Sequence, residues 1–161
     1  MSALDATTTA RFSDWTCVLE ASVEQASGRS RLPLAVYCTL GSLVGPDVAL
    51  WDTGALFSII SPARARLLER DLGPREAAIG IDTRWGLKRG FLRRLPIKLS
   101  AVRGADLTVD STVLALDDPW EGPTVLGLCG FMDRLRFALD LGTSAAHQPL
   151  LAVAPLTADV P

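Results

Sequence analysis

Asp52 is the residue around which chemistry can be built. It follows the apolar run Val48-Ala49-Leu50-Trp51, opens the tight segment Asp52-Thr53-Gly54-Ala55, and precedes Ser58-Ile59-Ile60-Ser61. A carboxylate in a Thr-Gly turn between two strongly apolar segments is expected at the end of a buried strand. Charge is costly there unless it is paired or hydrogen-bonded, so the position needs a reason. Acid–base chemistry is one reason; an Asx turn that serves only its own backbone is the other. The remaining reactive groups offer less. Cys17, Cys38 and Cys129 are widely spaced, with no Cys-x-x-Cys, and the single His147 has no acidic or cysteine neighbour, which argues against zinc. The thiols read as small core residues kept reduced. No metal and no cofactor is expected.

The elements that must position Asp52 follow from pattern and punctuation. Residues 1–12 are small, polar and aperiodic, and read as disordered. Strands are expected at 15–24 and 32–40, joined as a hairpin through Ser27-Gly28-Arg29-Ser30, with Pro33 at an edge or a strand start. Residues 48–51 form a strand that runs into the Asp52 turn, and 56–60 form the next. Ser61 caps a helix over 63–70, with Pro62 at its first position and Leu72-Gly73-Pro74 at its end. Residues 77–103 read as a long hairpin, out over 77–81, turning within 82–90, and back over 91–99. Further strands are expected at 107–116, 123–127 and 135–141, with a helical turn at 130–134. The domain spans 13–145, and 146–161 is an apolar tail with three prolines, available to a dimer interface. The sum is one mostly-β domain with one clear helix.

Bulk properties narrow the partners. The 161 residues suit a single domain with a real core. A net charge of −2 gives no global attraction to nucleic acid or an anionic membrane, and neither is expected as a partner. Hydrophobic residues make up 48% of the chain but aromatics only 6%, so the Leu, Val, Ala and Ile must be deeply buried or covered by another subunit. No apolar stretch reaches the roughly 20 residues of a membrane span. The N-terminus lacks the basic start and apolar core of a secretory signal, so a cytoplasmic location is expected. Arginine outnumbers lysine fourteen to two, which points to a GC-rich bacterial genome.

Three segments, taken in order, resemble the retropepsin-like family, the single-lobed aspartic peptidases typified by retroviral proteases and found also in bacteria. The first is Trp51-Asp52-Thr53-Gly54-Ala55, with Ser58 four residues after Gly54. The second is the hairpin over 80–95, where Gly90-Phe91-Leu92-Arg93 resembles the returning arm of the family's flap. The third is Thr124-Val125-Leu126-Gly127, followed by a short helix and Arg136-Phe137-Ala138-Leu139-Asp140. Two departures stand out. Viral members often carry an ion pair at the positions of Leu56 and Leu128, so an apolar contact is expected in its place. The glycine-rich flap tip is here Asp82-Thr83-Arg84-Trp85-Gly86-Leu87-Lys88-Arg89, bulkier and basic.

The resemblance implies a mostly-β fold, a closed or partly open β-barrel of the acid-protease type with one or two short helices and a β-hairpin flap. It also implies a bacterial, homodimeric aspartic endopeptidase acting on peptide or protein substrates. Two carboxylates a few ångströms apart cannot both ionise, so they share a proton and supply base and acid together. This chain has one Asp-Thr-Gly; the near-copy Asp82-Thr83-Arg84 lacks the glycine. The second carboxylate would be Asp52 of a second chain on a two-fold axis. Thr53 would lock the two loops, Gly54 would donate its N–H to the carboxylates, and Ala55 and Ser58 would support the loop. Gly127 would let the neighbouring strand pass beneath. Gly80, Ile81, Trp85, Gly86 and Lys88 would form the flap and meet substrate, although Trp85 also fits an ordinary hairpin aromatic. Arg84, Lys88, Arg89, Arg93, Arg94, Lys98 and Arg103 form either a solvated face or a field that attracts acidic substrates. The alternative function is a catalytically inactive retropepsin-like dimeric binding or scaffolding module. A small-ligand β-barrel unrelated to peptidases would leave the Asp52 segment without a purpose.

Overall fold

The computed structural model describes residue 15 and residues 17–23, 34–141 and 149–156. The expected N-terminal disorder, the turn at 27–30, Pro33 and His147 lie outside the described residues. The chain runs β1 (Cys17–Val23), β2 (Leu34–Leu40), β3 (Asp47–Trp51), β4 (Ser58–Ile60), α1 (Pro62–Leu67), β5 (Ala78–Thr83) and β6 (Gly86–Leu99). It continues through β7 (Arg103–Gly104), β8 (Leu107–Leu116), β9 (Thr124–Leu126), a 3₁₀ turn (Met132–Arg134), β10 (Leu135–Asp140) and β11 (Leu150–Pro155). The strand order is β10-β11-β1-β2-β3-β9-β4-β8-β6-β5, with β7 beside β1. Pairing of β2 with β6 at Cys38–Leu99, Thr39–Lys98 and Leu40–Ile97 closes the six strands β2, β3, β9, β4, β8 and β6 into a barrel. The expected mostly-β barrel with a short helix and a projecting hairpin is what the chain forms.

Alternation explains the barrel walls. Leu34, Val36, Cys38 and Leu40 of β2 are buried, as are Leu95, Ile97 and Leu99 of β6, while the residues between them face outward. Strand β8 breaks the alternation: Val113 to Leu116 are all buried. Its C-terminal half has a core cluster against each face, so both faces are covered. Val113 and Ala115 join the main core; Leu114 and Leu116 join Ile59 and Val125 in a second, smaller cluster.

Several boundaries differ from the sequence reading. Helix α1 stops at Leu67, because the N–H groups of Asp71 and Leu72 both turn back to the Leu68 carbonyl. Its start is as read: Ser61 Oγ accepts the Arg64 N–H at 3.2 Å, with Pro62 in the first turn. Strand β4 begins at Ser58 instead of Leu56, because the Ala55 and Leu56 carbonyls are taken by the N–H groups of Leu128 and Cys129. The hairpin turns at Arg84-Trp85, closed by a Thr83–Gly86 pair, so β6 starts five residues earlier than Phe91. Gly86 makes that turn with φ of 88°, which a side chain would strain. Residues 150–155, set apart in the sequence as tail, are β11, held between β1 and β10 with Leu151 and Val153 fully buried. The prolines concealed it, but Pro155 sits at the strand's last position, where the missing N–H costs least. The two-residue β7 carried no signal of its own.

Candidate active site

Asp52 lies one residue beyond β3, and its loop is fixed to β9. Parallel pairing places Ala49, Leu50 and Trp51 beside Thr124, Val125 and Leu126. The Asp52 N–H then donates to the Leu126 carbonyl at 3.0 Å. The Asp52 carbonyl accepts from Ala55 N–H at 3.1 Å, which closes the turn. Its side-chain Oδ1 accepts the Gly54 N–H at 2.9 Å. Trp51 and Ala49 are buried, yet Asp52 is only half-buried, and Thr53 and Gly54 are exposed. The cost of burial anticipated for this charge is therefore small in a single chain, where water still reaches the carboxylate.

Beneath the loop, Ser58 and Gly127 make a tight joint. Ser58 is fully buried, and its Oγ accepts the Gly127 N–H at 3.0 Å. A Cβ on Gly127 would stand 2.4 Å from both the carbonyl carbon and the oxygen of Phe57. No side chain fits there. Leu128 N–H donates to the Ala55 carbonyl at 2.8 Å and Cys129 N–H to that of Leu56 at 2.7 Å, so the two loops run side by side. Leu56 and Leu128 are 57% and 44% exposed, so no buried contact between them replaces the family's ion pair within the chain.

A second anchor escaped the sequence reading. Asp47 Oδ1 accepts from Arg64 Nη2 at 2.7 Å, and its Oδ2 accepts from the Thr124 hydroxyl at 2.8 Å. One carboxylate thus ties the start of β3 to both α1 and β9. Its only sequence signal was an acidic residue after Gly45-Pro46, which reads equally well as a turn.

The hairpin stands over the apolar wall beside the loop. Ala55, Phe57, Ile79, Ile81, Leu92 and Trp120 all pack on the smaller cluster of Ile59, Leu114, Leu116 and Val125. Ala55 and Ile81 pack on the same wall, while Gly80 and Gly86 are exposed and Lys88 is half-buried opposite Ile81. Trp85 packs edge-on against Trp120, 4.9 Å between centroids at 77°, with the Arg84 guanidinium 4.0 Å above the Trp85 ring. Trp120 is fixed in turn by its indole N–H to the Pro123 carbonyl at 2.9 Å. Backbone bonds hold the hairpin lower down: Arg89 N–H donates to Asp118 Oδ2 at 2.7 Å, and Asp117 N–H to the Arg89 carbonyl at 2.9 Å.

The basic run does not act as one field. Arg93 is buried and forks onto Glu69 at 2.9 and 3.1 Å, while also donating to the Gly73 and Leu72 carbonyls. The hydrogen bond from Arg93 is the main reason the Glu69 carboxyl lies below its ordinary pKa. Arg94 pairs with Asp110, Lys98 pairs with Asp106 at 2.7 Å, and Arg103 belongs to β7, against β1. Only Arg84, Lys88 and Arg89 remain near the tip.

Burial raises the Cys17 thiol to about 11 and the Cys38 thiol to about 12, so both are poor nucleophiles. Among the described residues, no group of three His, Cys, Asp or Glu is placed to hold a metal ion. No helix among them is long and apolar enough to cross a membrane.

No family model and no curated protein matches the chain. Among solved structures the chain is similar to EIAV protease complexed with the inhibitor HBY-793. The two share 22% sequence identity at a TM-score of 0.44, over 63% of this chain and 86% of that one.

Proposed function

We propose that the protein is an aspartic-type endopeptidase that acts as a homodimer and hydrolyses peptide bonds between two Asp52 carboxylates, one from each chain. The observation that carries this reading is the Asp52 loop itself: a carboxylate hydrogen-bonded to Gly54 N–H, half open to solvent, on a loop pinned to β9. One chain offers one such carboxylate, and a metal-free, nucleophile-free hydrolysis needs two. With the pair holding one proton, the ionised member takes a proton from water as its oxygen attacks the carbonyl carbon. The protonated member gives its proton to the carbonyl oxygen. Collapse of the tetrahedral intermediate breaks the C–N bond as the leaving nitrogen receives a proton from the carboxyl that gained one, while a hydroxyl of the intermediate returns its proton to the other carboxylate and the C=O re-forms, which restores the pair's single proton.

Thr53, exposed beside Asp52, would bond the facing loop. The wall of Phe57, Ile79, Ile81 and Trp120 offers an apolar surface to substrate side chains. Three free thiols, two of them buried, support a reducing compartment, which we take to be a bacterial cytoplasm. The alternative reading, a catalytically inactive dimeric binding or scaffolding module, draws on the hairpin, whose tip and lower part are both fastened to the chain's own 117–123 segment. Asp52→Asn separates the two. Peptide cleavage should vanish while far-UV circular dichroism and sedimentation stay unchanged; wild-type protein that cleaves no peptide under any pH would favour the inactive module.

A further inference from the structure

Helix α1 and the root of the hairpin flank a cavity of about 160 Å³ that the Asp52 chemistry does not use. By liquid volume it has room for about five waters. Phe91 lines it, while the next residue, Leu92, packs on the apolar wall beside the Asp52 loop. Neighbours along a strand point to opposite faces, so the cavity lies across β6 from that wall.

The lining divides by chemistry. Pro62, Ala65, Phe91, Ala115 and Leu116 supply apolar surface, and Arg66, Arg75 and Arg93 bring three guanidiniums to the two carboxylates of Glu69 and Asp117. Glu69 is taken by Arg93, whose side chain is only 8% exposed. That pair shows a buried cation of the cavity already accepting a carboxylate in a fork. Two Arg93 N–H groups go to Glu69 and two to the Gly73 and Leu72 carbonyls. A guanidinium has five, and the last, on Nη1, has no acceptor among the described residues. Asp117 reaches Arg75 only at 4.0 Å, an exposed and weak pair, and the Arg75 guanidinium lies 4.6 Å over the Phe91 ring. Arg66 forms no ion pair among the described residues. One positive charge is therefore left over beside an apolar floor. An anion gains more from fixed guanidiniums there than in open water, and an apolar body gains by burial.

We infer that this cavity binds a small organic anion, a carboxylate carried on a compact apolar group. The carboxylate would lie against Arg66, Arg75 and the spare Arg93 N–H, and the apolar group over Phe91, Ala115 and Leu116. A free carboxylic acid of that shape and the last residue of a peptide chain share this chemistry. The site is separate from hydrolysis at Asp52 and does not depend on it.

Titration of isotope-labelled protein with isocaproate at low salt, followed by nuclear magnetic resonance, tests the site. The amides of 63–69, 91–93 and 115–117 should shift, and those of 52–56 should stay in place. Isocaproamide, which lacks the charge, and acetate, which lacks the apolar group, should each bind about tenfold more weakly. Arg66→Ala and Arg75→Ala should each weaken isocaproate binding by about tenfold. Arg70→Ala, which removes an exposed cation outside the cavity, should leave it unchanged. The source of the carboxylate is read in Asp52→Asn protein, with a tetrapeptide ending in leucine as probe. If the free-acid peptide shifts the same amides and its C-terminal amide does not, the site takes peptide ends; if only isocaproate does, it takes free acids. Absence of shifts with either acid overturns the inference. So do shifts that isocaproamide reproduces at equal concentration, and so does an Arg70→Ala effect equal to that of Arg66→Ala, which would reduce the arginines to a general surface field.

Discussion

The amide of Gly127 and the hydroxyl of Ser58 meet at 3.0 Å across 69 residues of chain. The contact is buried, and it joins the strand after the Asp52 loop to the segment that passes beneath it. Ser58→Ala leaves the Gly127 N–H without its acceptor and should cost about 1–3 kcal/mol. Gly127→Ala drives a methyl group into the Phe57 carbonyl and should cost about as much or more. Urea denaturation of both variants measures the difference, and Ser58→Thr, which keeps the hydroxyl, should be intermediate.

Peptide cleavage should follow a bell-shaped pH profile governed by the coupled Asp52 pair. Activity should peak in acidic to near-neutral solution, where the pair holds one proton, and fall on both sides. Chelators and thiol reagents should leave kcat/KM unchanged, whereas a hydroxyl-bearing mimic of the tetrahedral intermediate should inhibit.

Glu69 gives a second pH dependence, in stability. Its folded pKa is lowered from 4.5, chiefly by the hydrogen bond from Arg93. The unfolded chain therefore binds the proton first, and the ion pair's contribution is complete above about 4.5 and lost as pH falls through the lower folded value. Glu69→Gln should lower the urea midpoint at neutral pH, and the gap from wild type should close in acid. A gap independent of pH would show that packing around Arg93, and not the charge, supplies the stability.

The thiols should separate cleanly. Cys17 and Cys38 are buried, with raised pKa values, while Cys129 is half-buried, its N–H on the Leu56 carbonyl beside the Asp52 loop. Brief native-state treatment with an alkylating reagent should add one label, at Cys129, and treatment in denaturant should add three. Mass spectrometry of the peptides reads the result.

Trp85 and Trp120 should couple. Edge-to-face aromatic pairs contribute about 0.5–1.5 kcal/mol beyond their burial, so a double-mutant cycle to Ala should show an interaction of that size. Trp85→Ala should also speed proteolysis within residues 82–88 and diminish the near-ultraviolet dichroism. Additive effects would mean that the bonds of Arg89 to Asp117 and Asp118, and not the ring pair, hold the hairpin.

Much of this architecture was legible in the chain. The positions of β2 and of the later part of β6, the full extent of β8 and the Ser61 cap all follow from local pattern, because each is dictated by neighbours in sequence; the crossing at Gly127 came only with the family resemblance. What was hidden depended on distant partners. Strand β11 has no alternation until β1 and β10 are set on either side of it. The same holds for Asp47, which is unremarkable until α1 and β9 converge on it. The seven cations looked like one surface because sequence counts charges but does not reveal the acids that Arg93, Arg94 and Lys98 meet. At Asp52, apolar flanks suggested burial, but the strand ends one residue before it and the loop turns outward.

Strand β9 has only three residues, and it inserts between β3 and β4, which precede it in the chain by more than sixty residues. Closing so long a loop is entropically slow compared with forming a local hairpin. The β5–β6 hairpin can form as soon as it leaves the ribosome, but the Asp52 turn lacks its Leu126 and Leu128 partners until synthesis has passed them. A chain still being made therefore carries Asp52 without the backbone bonds that fix its loop until residues 126–128 have emerged.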